Sequence, residues 1–174
     1  MGEVYLAHDT QLERQVALKT PRLELAAGAD VVARFQREAK AMAQLQHPNL
    51  CPIFDVDQIE ERLYLTMAFI DGEPLTSRLV AERPLACVEI ARLVRGIASG
   101  LSEAHRSGVV HRDLKPGNVL IDDRNEPIVT DFGLAFDRAS AESRLSVQAL
   151  QPDVAIPTTC PRVKAASYLR RGIW

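Results

Sequence analysis

The chain has 174 residues, 47% hydrophobic and 25% charged, with a formal net charge of -2 at pH 7. That balance describes a soluble globular protein with one core or two small lobes, and it excludes a disordered chain. Lysine and arginine are scattered, so no nucleic-acid partner is expected; no apolar run approaches the ~18 residues of a membrane span, no secretory signal is seen, and the expected location is cytoplasmic.

Gly2 to His8 alternates small or apolar with larger residues, Asp9 to Arg14 is polar, and Val16-Ala17-Leu18 is apolar, which reads as a hairpin. Asp30 can cap a helix running to Gln46, in which Phe35, Ala39, Met42 and Leu45 recur at helical spacings. Glu38 falls beside that stripe. A carboxylate at the edge of a buried face needs a partner, since stranding one costs about 3–5 kcal/mol. Lys19 is the available one, and the other reading is a glutamate solvated on an open face. Pro48 ends the helix. Leu50 to Val56 and Leu63 to Ala68 are short apolar runs around the polar turn Asp57 to Arg62, a second hairpin.

Asp71 to Pro74 is a turn and Leu75 to Arg83 a short helix. A longer helix follows, with Ile90, Val94, Ile97, Leu101 and Ala104 on one face, until Ser107-Gly108 stops it. Further on, Val119 to Ile121, Asp122 to Glu126 and Ile128 to Thr130 read as strand, turn and strand. Cys51, Cys87 and Cys160 are odd in number and lack a Cys-x-x-Cys pair, so neither a disulfide framework nor a zinc site is expected.

The chemistry concentrates between the long helix and the last hairpin, in His111-Arg112-Asp113-Leu114-Lys115-Pro116-Gly117-Asn118. Pro116 and Gly117 keep the segment from becoming helix, so the acceptor side chains of Asp113 and Asn118 can turn toward one point that would hold a hydroxyl and a metal ion. The segment resembles the H-R-D-L-x-x-x-N catalytic loop of the protein kinase family. Val16-Ala17-Leu18-Lys19 resembles its V-A-I-K strand, and Asp131-Phe132-Gly133, delivered by a strand end, its D-F-G. Gly2-x-Val4 reads either as the last part of a glycine-rich loop whose first glycines would lie upstream, or as a plain strand-edge glycine. The Leu-Lys-Pro-Gly-Asn run places the resemblance nearest to bacterial serine/threonine kinases.

The resemblance implies a bilobal α+β fold: a small antiparallel sheet with one helix over 1–70, an incomplete, mainly helical lobe over 71–137, and an aberrant or disordered tail over 138–174. It implies transfer of the γ-phosphoryl group of ATP to protein serine or threonine hydroxyls, with Mg²⁺ as cofactor. Asp113 would accept the hydroxyl proton, Lys115 support the phosphate, and Asn118 and Asp131 hold magnesium. Lys19, paired with Glu38, would clamp the nucleotide phosphates. Val4, Ala17, Met67 and Leu120 would sandwich the adenine, and the backbone of Ala68-Phe69-Ile70 would hold its edge; kinases usually carry Glu where Ala68 stands. His111 is expected to pack against Phe132, Met42 and Ile53 in preference to acting as a base, and Arg112 to bind a phosphorylated activation-loop residue.

The resemblance stops near Asp137, and neither G-T-x-x-Y nor A-P-E follows. A truncated or frame-disrupted product is one explanation of that change. A nucleotide-binding, pseudokinase-like scaffold without turnover therefore stands as the alternative function. A small-molecule phosphotransferase shares the fold but usually lacks Arg112 and the Leu-Lys-Pro run.

Overall fold

The computed structural model describes residues 3–20, 29–59, 62–80, 84–132 and 163–168. The Gly2 and Gly133 expectations, Cys160 and the activation segment lie outside the described residues. Strands β1 (Glu3–Asp9) and β2 (Arg14–Thr20) form the expected hairpin, in full register from Glu3 opposite Thr20 to Asp9 opposite Arg14. Asp9 shapes the turn, because its Oδ1 accepts the backbone N–H groups of Gln11 at 3.0 Å and Leu12 at 3.2 Å. Arg14, on the far side of that turn, lies over the ring of Phe54, 3.6 Å from its centroid.

Helix α1 (Ala29–Ala43) buries Phe35, Ala39 and Met42, the stripe its periodicity predicts. Strands β3 (Ile53–Ile59) and β4 (Arg62–Ala68) follow. The ladder runs further than the apolar pattern suggests: Asp57 and Gln58, read as turn, continue β3 because it is an edge strand whose outer residues face water. Next come β5 (Gly72–Pro74), read as a turn but paired with a later strand, and α2 (Leu75–Leu79).

Helix α3 (Cys87–Arg106) corrects one reading. Ile90 and Val94, expected on the buried face, are 46% and 58% exposed, and Leu93, Gly100 and Ala104 are buried instead. The true contact stripe contains glycines, which a count of apolar side chains passes over. A Cβ on Gly96 would stand 2.7 Å from Pro127 Cγ, and one on Gly100 2.9 Å from Leu50 Cδ2 and 3.0 Å from the Asn49 carbonyl oxygen. The helix ends as expected. Gly108 takes φ +74°, its N–H bonds the His105 carbonyl at 3.0 Å, and the Val109 N–H reaches the Ala104 carbonyl at 2.9 Å.

A single 3-10 turn, Pro116–Asn118, leads into β6 (Val119–Asp122), and a tight turn around Asn125 returns as β7 (Pro127–Val129). The last described element is β8 (Val163–Tyr168). It falls in the stretch expected to be loop or disorder; the pattern of its own residues is weak, and the pairing is supplied by the edge of β1.

The strands form two sheets, ordered β3-β4-β2-β1-β8 and β5-β6-β7. What joins the lobes is the segment after α1. Leu50 bridges to Val129, the Cys51 N–H bonds the Val129 carbonyl and the Val129 N–H the Asn49 carbonyl, each at 2.9 Å. Asn49 Nδ2 donates to the Pro127 carbonyl at 2.8 Å. Beneath this junction Met42, Leu45, Leu50, Ala104, Val129 and Phe132 share one core. A cluster drawn from α1, α3, β7 and the Asp-Phe pair fixes where the two halves meet.

Candidate active site

β2 carries Ala17 and Lys19 on one face and Val16 and Leu18 on the other, by the two-residue period of a strand. Val16 and Leu18 enter a small core with Ala7 and Tyr64. The register then sets Val4 opposite Lys19, and Ala17 between Leu6 and Met67, so Val4, Ala17 and Met67 share the face turned away from that core. Leu120 is buried on β6, between Val119 and Ile121, whose side chains pack under α3. A pocket behind Met67 is lined by Met42, Leu50, Cys51, Leu65, Asp131 and Phe132, among others.

Ala68 follows at the end of β4. Its N–H donates to the Pro52 carbonyl at 2.9 Å, and its carbonyl accepts the Cys51 thiol at 3.6 Å. Half-buried Ile70 lies on the link to β5.

The loop residues are held by one another. Asp113 N–H reaches the His111 carbonyl at 2.8 Å and His111 Nδ1 at 3.3 Å. Lys115 Nζ donates to Asp113 Oδ2 at 2.6 Å, and Asn118 Nδ2 donates to the Asp113 carbonyl at 2.7 Å and to Oδ2 at 3.2 Å. The hydrogen bond from Lys115, helped by that from Asn118, holds the Asp113 carboxyl below its ordinary range against a smaller opposing effect of burial. Asp113 is therefore ionised and able to accept a hydroxyl proton. Asn118 is buried with its Nδ2 engaged on Asp113.

Thr130 ties this loop to Asp131, a role the sequence reading missed. Its carbonyl accepts His111 Nε2 at 2.8 Å, while its N–H and Oγ1 donate to the Asn118 carbonyl at 2.9 and 3.2 Å. A buried threonine one residue before the strand-end aspartate was the available signal. His111 packs as expected, its ring 4.6 Å from that of Phe132. With Nε2 donating and Nδ1 accepting, the imidazole is neutral, and burial pushes its pKa down despite the Thr130 bond.

One expected contact is replaced. Lys19 Nζ lies 2.6 Å from Asp131 Oδ1, and Glu38 Oε1 pairs with Arg112 at 3.0 Å instead of with Lys19. Both Arg112 and Asp131 take left-handed backbone, φ 63° and 60°, a conformation non-glycine residues seldom adopt. Lys19 is only 12% exposed, and the nearest carboxylate neutralises it. Small and large lobes are thereby bridged by two ion pairs.

Asn118 and Asp131 offer oxygen donors, the kind magnesium takes, and magnesium commonly adds substrate phosphates to one or two protein carboxylates. The donor set therefore fits the ion. No cluster of three His, Cys, Asp or Glu that could hold a metal by itself occurs among the described residues.

A sheet lobe presents a largely covered lysine to a strand-end aspartate beside an aspartate-bearing loop, and the result is a two-lobed α+β fold. The chain belongs to the protein kinase family, whose protein kinase domain pattern matches residues 1–153. It is 38% identical over 135 residues to the serine/threonine-protein kinase PrkC of Bacillus subtilis, covering 78% of this chain and 21% of that protein. It is 42% identical over 147 residues to the probable serine/threonine-protein kinase PknB of Lactococcus lactis, covering 84% and 23%. Among solved structures, the PknI kinase domain of Mycobacterium tuberculosis matches with a TM-score of 0.68 and 30% identity, over 83% of this chain and 61% of that one. The chain thus spans about a fifth of the length of the curated relatives it matches.

Proposed function

We propose that this chain transfers the γ-phosphoryl group of Mg-ATP to serine or threonine hydroxyls of proteins, in the cytoplasm. The observation that carries the reading is the linked set Lys19–Asp131, Thr130–Asn118 and Asn118–Asp113–Lys115, which draws a cation, two metal-type ligands and an ionised base from both lobes to one place. Asn118 and Asp131 would hold magnesium, which would supply shielding of the ATP phosphate charge. Val4, Ala17 and Met67 share the face on which adenine would lie; Leu120 would close on it from the other lobe, and backbone groups at Ala68 and Ile70 would hold its edge.

Asp113 takes the proton as the substrate oxygen attacks. Lys115, bonded to Asp113, would neutralise the phosphoryl oxygens as they pass. Lys19 has to exchange part of its bond to Asp131 for the nucleotide phosphates, and Glu38 would have to exchange its bond to Arg112 in order to orient Lys19.

The test is a radiolabelled-phosphate assay with a basic protein substrate, alongside autophosphorylation. Asp113→Asn should lower turnover by about 10²–10⁴-fold while leaving Mg-ATP affinity nearly unchanged. Equal turnover by both forms would remove Asp113 as the base, and ATP binding without any turnover by the unsubstituted chain would make it a scaffold.

A further inference from the structure

The proposed reaction makes no use of β8, yet β8 is laid along β1, one of the strands that carry the nucleotide face. It runs antiparallel to β1 with Tyr168 opposite Tyr5, Ser167 opposite Leu6, Ala165 opposite Ala7, Lys164 opposite His8 and Val163 opposite Asp9. The register shifts between Leu6 and Ala7, so β8 contributes an extra residue there, a bulge of the kind that pins one register against its neighbours. The inner edge of β1 is fully taken by β2. Its outer edge, without β8, would be a row of unpaired N–H and C=O groups, which is an acceptor for any extended chain.

That edge is coupled to the site through the hairpin itself. Val4 is opposite Lys19 and Leu6 opposite Ala17. On the far face, Tyr5 and Ala7 meet only a small core of Val16, Leu18, Tyr64 and Phe54. A second ladder along β1 therefore adds rigidity where packing is thin. The tether also favours the chain's own segment over another copy. The span from Phe132 to Val163 is long enough to reach about 100 Å if fully extended, and covalent connection in one chain typically gives roughly millimolar effective concentration.

We propose that the outer edge of β1 is a docking site for the chain's own segment 163–168, and that docking there strengthens nucleotide binding by holding Val4 and Lys19 in register. The second half of this proposal rests on the nucleotide reading above. Oxidation of the full-chain double variant His8→Cys/Lys164→Cys should bridge the two positions within one chain, at a yield independent of protein concentration and located by mass spectrometry of the linked peptides. The bridged form should bind Mg-ATP roughly fivefold or more tightly than the same protein reduced.

In the unsubstituted chain, those backbone amides of Tyr5 to Asp9 that point away from β2 should be protected from hydrogen exchange, and Ala165→Pro should remove their protection while the amides facing β2 keep theirs. A bridge between two chains makes a second copy the occupant, and no bridge together with unprotected amides removes the site; either overturns the docking. An intrachain bridge with unchanged ATP affinity overturns the coupling. An intrachain bridge with no ATP binding in either state supports the docking and overturns the nucleotide reading instead.

Discussion

Lys115 and Asn118 keep Asp113 charged, but the histidine two residues earlier is the residue whose protonation the fold opposes. His111 is buried against Phe132 with both ring nitrogens engaged, and its pKa lies below the ordinary 6.5 chiefly because burial disfavours the imidazolium. A protein whose unfolded state binds that proton more readily loses stability as pH falls: the contribution is complete above 6.5 and disappears on descending toward the lower folded value. We expect His111→Phe to flatten the fall in unfolding midpoint between about pH 7 and 5.5, measured by urea denaturation; parallel curves for both proteins would contradict it.

Cys51 shows the opposite sign. Burial, reinforced by the charge of Asp131, pushes its thiol up to about 12, whereas Cys87 is exposed on α3. Alkylation by iodoacetamide near pH 8 should label Cys87 and spare Cys51 until the protein is unfolded. Rapid labelling of Cys51 in the native protein, seen by peptide mapping, would mean that the wall behind Met67 is open.

At the scale of the elements, α3 is fitted to β7 by what it lacks. Replacing a helical glycine by alanine ordinarily gains up to about 1 kcal/mol in propensity. At Gly100 the new Cβ would press on the Asn49 carbonyl oxygen at 3.0 Å as well as on Leu50, and backbone cannot give way as a side-chain tip can. Overpacking of that kind costs about 1–3 kcal/mol, so Gly100→Ala should lower the thermal midpoint despite better propensity. An unchanged or higher midpoint would show that α3 can shift against the Asn49-Leu50 segment. The apolar periodicity of this helix was readable, but the rotation that buries Leu93 and exposes Val94 follows from the glycines, whose signal is close approach and not hydrophobicity.

Across the whole molecule, the lobes are joined by polar groups with no slack. Asn49 is buried, and its Nδ2 supplies the partner of the Pro127 carbonyl, beside the paired N–H groups of Cys51 and Val129. Asn49→Ala strands that carbonyl, at a cost of about 1–3 kcal/mol, and should reduce phosphoryl transfer further than stability alone requires, because Lys19 and Asp113 are carried on opposite sides of the joint. Calorimetry and the phosphate assay on one preparation would test this; full activity in a destabilised variant would show that the joint is structural only.

The amino-acid order by itself determined the family, the two hairpins, the stop at Gly108 and the loop that carries Asp113, Lys115 and Asn118, because each is written in local patterns of a few neighbouring residues. Only the tertiary structure decided which charges meet. Lys19 takes Asp131 and Glu38 takes Arg112 because the partner of a charged group is set by distances between segments far apart in the chain, and local pattern contains no such distances. The same holds for Val163–Tyr168, whose own residues barely favour a strand and which becomes one where the backbone edge of β1 accepts it.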